Sequence, residues 1–344
     1  MRAAILAAAA LLGGEGWEYR PGIGFVNLST MEKKSPAEFL EHARAHRRAG
    51  THEAALEAYS LLAAHAPEAA LREAAHFERA ETFFEAGRFY ESYQDAEAFL
   101  ARYPQSDRAT AAKRLEMTAA LEMARRGHKE RVLGLPLIPT SRTGIECLRE
   151  ALKRYPREEF TADFIQKLGM FYYDRGDYDA AEQEFSTIVG NPERGLPAQY
   201  PEAPEVVLAL YMLGRTCEQR FQGIARDIRP LREARRHYER FLEEADRLRR
   251  LPEPAARWVD GLLGPVRERL AQVYSRMLEK QLQTAEYYDW KGFPRSAAVY
   301  YRSILKEEAS FRRVLKDFPE TPAARKAREF LGQAAAPAAA KRSP

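Results

Sequence analysis

His42 and His46 stand four residues apart, a spacing that puts two imidazoles on one helix face, as a zinc site requires. No third ligand stands at a suitable spacing, so the pair reads as part of a solvated face. In "DRGDYD", Asp174, Asp177 and Asp179 offer three carboxylates around Gly176. That stretch falls on an interhelix turn, where Asp177 is placed to cap the next helix rather than to hold calcium. The two cysteines, Cys147 and Cys217, lie inside apolar helical patterns and read as small core residues. Arg232, Arg235, Arg236, Arg240, Arg247, Arg249 and Arg250 interleave with Glu233, Glu239, Glu243 and Glu244, the mixed-sign pattern of a solvated helix face. The chain holds no GxSxG, GxxxxGK[ST] or HExxH. "GIGFVN" lacks the third glycine of a phosphate loop. These residues predict no enzyme, no metal and no cofactor.

What remains is architecture. The balance of 54 basic against 50 acidic side chains, net +4, is too even to predict nucleic acid. The chain is rich in Ala, Glu, Arg and Leu and poor in β-branched runs, so helix is expected throughout. At the start, Arg2 precedes ten apolar residues and then Gly13, Gly14 and Gly16. This order predicts a secretory leader over 1–16, too short to span a bilayer. An alternative is a cytoplasmic chain with an Ala-rich start. Residues 17–35, with Trp17, Tyr19, Phe25 and Val26 around the turn-forming "RPGIG", form an aromatic arm that docks on a partner or on the first helices. The tail 334–344 is Ala-rich, of low complexity and expected to be disordered.

A repeat organises the body. Gly50 is followed at five, nine, twelve and seventeen residues by Ala55, Tyr59, Leu62 and Pro67. Gly87 is followed at the same offsets by Ser92, Ala96, Phe99 and Pro104. Gly176 leads to Ala181, Phe185 and Ile188, with Pro192 one residue early. Gly292 leads to Ala297, Tyr301 and Ile304, with Pro319 ten residues late, as if the helix had gained nearly three turns. The glycine ends one helix in a left-handed conformation. The small residue marks a close helix–helix approach, the larger residues follow along the same face, and the proline ends the second helix. Gly169 belongs to the helix before Gly176. A degenerate copy places Leu213 and Gly214 on a first helix, and Ala234, Tyr238 and Phe241 on a second. Loops are expected near 127–140, 190–203 and 222–230.

The pattern resembles the tetratricopeptide repeat over 36–333, which implies an all-α solenoid of stacked antiparallel helix pairs. Three stretches further resemble the outer-membrane assembly factor BamD family: "FLEHARAHRRAGTHEAALEAYSLLAAHAP", "LYMLGRTCEQRFQGIARDIRPLREARRHYERFLEEA", and "AEYYDWKGFPRSAAVYYRSIL" with "FPETPAARKAREFL". That resemblance implies a periplasmic scaffold that binds envelope proteins, such as the β-barrel insertase or its clients. The lipid of that family is not carried over, because no cysteine precedes Cys147; peripheral membrane association would run through a protein partner. A periplasmic adaptor of cell division or peptidoglycan synthesis is the alternative, as is a cytoplasmic repeat adaptor without the leader.

In such arrays the first helix of each pair lines the inner wall. Counting back two, three, six and ten residues from each turn glycine gives the groove: Arg48, Arg47, Arg44 and Leu40; Glu85, Phe84, Glu81 and Phe77; Asp174, Tyr173, Met170 and Gln166. The aromatics would grip an extended peptide and the three arginines a carboxylate. The competing expectation for each is an ordinary contact between repeats.

Overall fold

A computed structural model describes residues 16–127, 131–132, 135–136, 142–191, 195–224 and 226–340. The leader, Pro192 and most of the 127–140 loop lie outside the described residues. The chain divides into two compact units, 1–161 and 162–344. Among the described residues there are fourteen helices, arranged as stacked antiparallel pairs, so the all-α repeat architecture holds.

In the first unit, 17–34 docks on the first helices of its own chain, one of the two placements expected for it. It forms an antiparallel sheet of β1 (Trp17–Arg20), β2 (Gly24–Asn27) and β3 (Lys33–Lys34). Phe25 lies opposite Tyr19 on one side and Lys34 on the other. The β1–β2 turn is the expected one: Pro21 supplies a fixed φ, Gly22 sits at φ 76°, and the Ile23 amide donates to the Arg20 carbonyl at 3.0 Å. The sheet covers the first helices of its own chain. Phe25 stacks on Phe39 with ring centroids 4.1 Å apart, and Trp17 packs against Phe39 at 4.9 Å. "SPAE" then starts α1 (Pro36–Arg48). The Ser35 side chain accepts from the Glu38 amide at 3.3 Å, and the Glu38 carboxylate accepts from the Ser35 amide at 2.8 Å. α2 (His52–His65), α3 (Ala69–Glu85), α4 (Phe89–Arg102), α5 (Ala109–Arg126) and α6 (Arg142–Arg154) complete this unit. A short antiparallel pair, β4 (Arg131–Val132) with β5 (Leu135–Pro136), lies in the expected loop.

The second unit holds α7 (Thr161–Asp174), α8 (Tyr178–Val189), α9 (Glu205–Arg220), α10 (Arg229–Glu243), the single turn α11 (Ala245–Leu248), α12 (Ala255–Trp290), α13 (Pro294–Val314) and α14 (Pro322–Ala340). The expected 222–230 insertion ends at Ile228, because Arg229 and Pro230 already belong to α10, where proline fits the first turn. α13 has 21 residues against 14 in α2 and α4, two extra turns rather than three. α14 runs to Ala340 through an Ala-rich stretch, and alanine is the strongest helix former.

All four predicted turn glycines are left-handed: Gly50, Gly87, Gly176 and Gly292 lie at φ 74–78°. Each makes the same pair of bonds. At Gly87, its amide donates to the Phe84 carbonyl at 2.9 Å, and the next amide, Arg88, donates to Phe83 at 2.9 Å. This is the Schellman closure, which satisfies carbonyls that a helix end leaves open. Behind the turns, Ala55, Ser92, Ala181 and Ala297 are fully buried, as are Tyr59, Ala96 and Phe185, with Tyr301 nearly so. A second small position recurs seven residues before each glycine: Ala43, Ala80, Gly169 and Ala285. It is where the paired helices touch. A Cβ on Gly169 would lie 2.6 Å from the Phe185 ring. Gly214 meets Tyr238 in the same way, so the degenerate copy keeps the contact. Pro67 and Pro104 follow the ends of α2 and α4 as expected.

Candidate peptide-binding cleft

The inner face of the first unit carries a cleft of about 610 Å³ between α1 and α3. α1 contributes Glu41, Arg44, Arg47 and Arg48, and α3 contributes Phe77, Glu78, Glu81 and Glu85, with Arg108 at the rim. Three- and four-residue spacing puts each set on one face of its helix. Arg44, Arg47, Arg48, Phe77 and Glu81 are therefore brought together as the offsets from the turn glycines predict.

Arg44 and Arg47 are not free to hold a ligand's carboxylate, and for these two that expectation is corrected. Arg44 Nε donates to Glu78 at 2.8 Å and its Nη1 donates to Glu41 at 2.6 Å. Arg47 Nε donates to Glu85 at 2.9 Å and its Nη1 donates to Glu81 at 2.7 Å. The bond from Glu78 holds the Arg44 guanidinium firmly protonated, and Glu85 does the same for Arg47. In return Arg47 pulls the Glu85 carboxyl below its usual range. Buried Glu78 also accepts from the Tyr59 hydroxyl at 3.1 Å. Burial, and then the Glu78 charge, push the Tyr59 phenol well up. The basic stripe of α1 thus locks onto the acidic stripe of α3, which is the contact between repeats. Arg48 alone stays open: its side chain is 73% exposed, and its nearest carboxylate, Glu41, is 3.9 Å away.

Other candidates fall elsewhere. Leu40 is buried in the core under the sheet. Phe84 is half-buried against Phe89, ring centroids 5.2 Å apart, and does not line the cleft. Phe77 reaches the cleft by one edge, with the Arg108 guanidinium 5.7 Å from its centroid. In the second unit, Gln166, Met170 and Tyr173 share one face of α7. The Tyr173 hydroxyl accepts from Arg215 at 3.1 Å. Gln166 is buried, and its Oε1 has no partner among the described residues. His42 packs on Trp17, and His46 Nδ1 lies 2.8 Å from the Thr51 hydroxyl. Asp177 caps α8, accepting from the Ala180 amide at 3.2 Å. Along α10 and after it, Arg235 pairs with Glu239 at 2.8 Å and Arg240 with Glu244 at 2.7 Å. The first pair departs from the expected solvated face: Arg235 lies over the Phe311 ring at 5.3 Å, and Glu239 accepts from the Tyr274 hydroxyl at 2.6 Å.

Three cleft residues escaped the offset count: Glu41, Glu78 and Arg108. Glu41 and Glu78 both stand nine residues before a turn glycine. That shared offset was the available signal. Arg108 comes from the loop before α5, where no periodicity marks it.

No family model and no curated protein matches the chain. Among solved structures, the C-terminal part of a TPR repeat-containing protein from Cytophaga hutchinsonii is similar over 82% of this chain and 100% of that chain, at 14% identity and a TM-score of 0.32. A likeness that loose carries no argument, and the repeat architecture rests on this chain's own helix pairs.

Proposed function

We propose that this chain is a non-enzymatic scaffold that binds proteins or peptide segments. The observation that carries the reading is the self-neutralised cleft. Cations from α1 face carboxylates from α3, with one aromatic edge between them. A peptide of a single charge sign entering it would strand one half of an Arg–Glu pair. A segment of mixed sign can exchange partners with both helices and leave no charge unpaired. The favoured ligand is therefore a protein segment alternating basic and acidic residues around an apolar one.

Within that reading, the BamD-like stretches support an envelope role, with the β-barrel insertase or its clients as partners. A photo-crosslinking residue at Glu81 in native cells tests both levels. Adducts with an insertase component support the BamD-like role, and adducts with division proteins support the alternative adaptor. A chain that forms no protein adduct at Glu81 sinks the cleft as a binding site. An intact mass that lacks the first 14–16 residues, measured on protein from the periplasmic fraction, would support export.

A further inference from the structure

Among the described residues, eight large apolar side chains are exposed; three of them, Tyr287, Trp290 and Phe293, sit at the turn joining α12 to α13, and a fourth, Val299, lies in the second turn of α13. Trp290 is 77% exposed, the most of any. A globular chain that merely tolerates surface apolar groups scatters them singly. Here they are concentrated at a helix-hairpin tip and joined to charge. The Lys291 ammonium lies 4.7 Å from the Trp290 ring centroid and 5.8 Å from that of Tyr287.

The charge continues up α13. Arg295, Val299, Arg302 and Lys306 recur at four, three and four residues and are all exposed, so they form one stripe on the outer face of the helix. From 287 to 306 the chain carries four cations against one carboxylate, Asp289. Among the described residues, Lys291, Arg295, Arg302 and Lys306 make no ion pair. Of the nearby carboxylates, Glu286 is held by Lys326 and buried Glu308 by Arg312 and Arg328, while Asp289 and Glu307 make no ion pair among the described residues, which leaves four cations against two free carboxylates over 287–307. This is the reverse of the cleft in the first unit, where Arg44 and Arg47 are saturated by glutamates. The balance of the whole chain is nearly even, so the local excess is not a by-product of composition.

We propose that the α12–α13 turn and the outer face of α13 form a docking surface for an anionic phospholipid bilayer. Tryptophan and tyrosine rings settle at headgroup depth, where an apolar body and a polar edge are both accommodated. Lys291, laid along the rings, would meet a lipid phosphate as they enter. Unpaired arginines and a lysine along α13 complement phosphates of the surrounding leaflet without giving up internal partners. Aromatic insertion and a basic stripe are the two weak signals that together hold a peripheral protein at a surface. The proposal goes beyond the cleft reading and does not depend on it, since the two surfaces belong to different units.

The test is sedimentation of the full chain with phosphatidylcholine vesicles prepared with and without phosphatidylglycerol. The expected result is binding to the anionic vesicles, weakening as salt rises. Trp290→Ala and the double variant Arg302→Glu/Lys306→Glu should each reduce it, the double variant at least about twentyfold, since each basic group at the surface counts about fivefold. All three side chains project into solvent, so circular dichroism and melting should match the parent. A parent chain that stays in the supernatant with anionic vesicles overturns the proposal and hands the patch to a protein partner. Either variant binding as tightly as the parent overturns it too.

Discussion

Gly87 lies at φ 74° with open space where a Cβ would project. Gly87→Ala meets no clash there, so its whole penalty is the left-handed backbone, about 1 kcal/mol. Urea denaturation of the variant should show that loss with an unchanged slope. Gly169 is the opposite kind of glycine. Its backbone is ordinary helix, and alanine would gain ~1 kcal/mol in propensity. A Cβ would, however, stand 2.6 Å from the Phe185 ring, and overpacking costs ~1–3 kcal/mol. Gly169→Ala should therefore destabilise the parent but not a Phe185→Leu background, and a double-mutant cycle reads that change of sign. His237 on α10 supplies a pH dependence. Burial, helped by Arg240 and Arg236, pushes its imidazole down to about 4 from the ordinary 6.5. Its folded pKa lies below its unfolded one, so its contribution is intact above pH 6.5 and is lost as pH falls towards 4. His237→Gln should flatten the fall in melting temperature over that window.

Among the elements, the sheet and the paired helices differ in how far they could be read from sequence. The helix pairs were legible because one spacing recurs four times and each member has a physical reason. The sheet was not, because strands of four, four and two residues are too short to show a period. Its aromatics announced burial, but not whether the cover was this chain or another. The cleft was half legible. Offsets from Gly50 and Gly87 named the inner face, yet a face does not say which side chain across it answers which charge. That pairing depends on how α1 and α3 are placed against each other, and no periodicity encodes it. The sheet carries its own prediction. Phe25→Ala removes a fully buried ring stacked on Phe39 and should cost about 3 kcal/mol. Hydrogen exchange should then quicken in α1 and α2 before any other helix.

At the scale of the whole chain, packing is local. Most helix contacts run to the next helix in sequence: α4 to α5, α9 to α10, α12 to α13. Arrays of that kind have stabilities close to sums of repeat and nearest-neighbour terms. Gly87→Ala should accordingly raise exchange rates in α3, α4 and α5 while leaving 205–315 at parental values, and mass-spectrometric hydrogen exchange can compare the segments directly. If protection falls evenly along the chain, the molecule unfolds as one cooperative body instead.

The sheet over the first helix pair also acts as an end group, in the sense a polymer chemist would use. Within a unit, successive helix pairs lay their apolar sides on one another, and growth by addition is the default of such a stack. Trp17 and Phe25 occupy that position on α1 with a surface of a different shape, backed by Lys33 and Lys34. The sheet therefore keeps α1 from offering that apolar side to a further helix pair. A chain beginning at Pro36 would present Phe39 and Leu40 bare, and with them an initiation site for head-to-tail fibres.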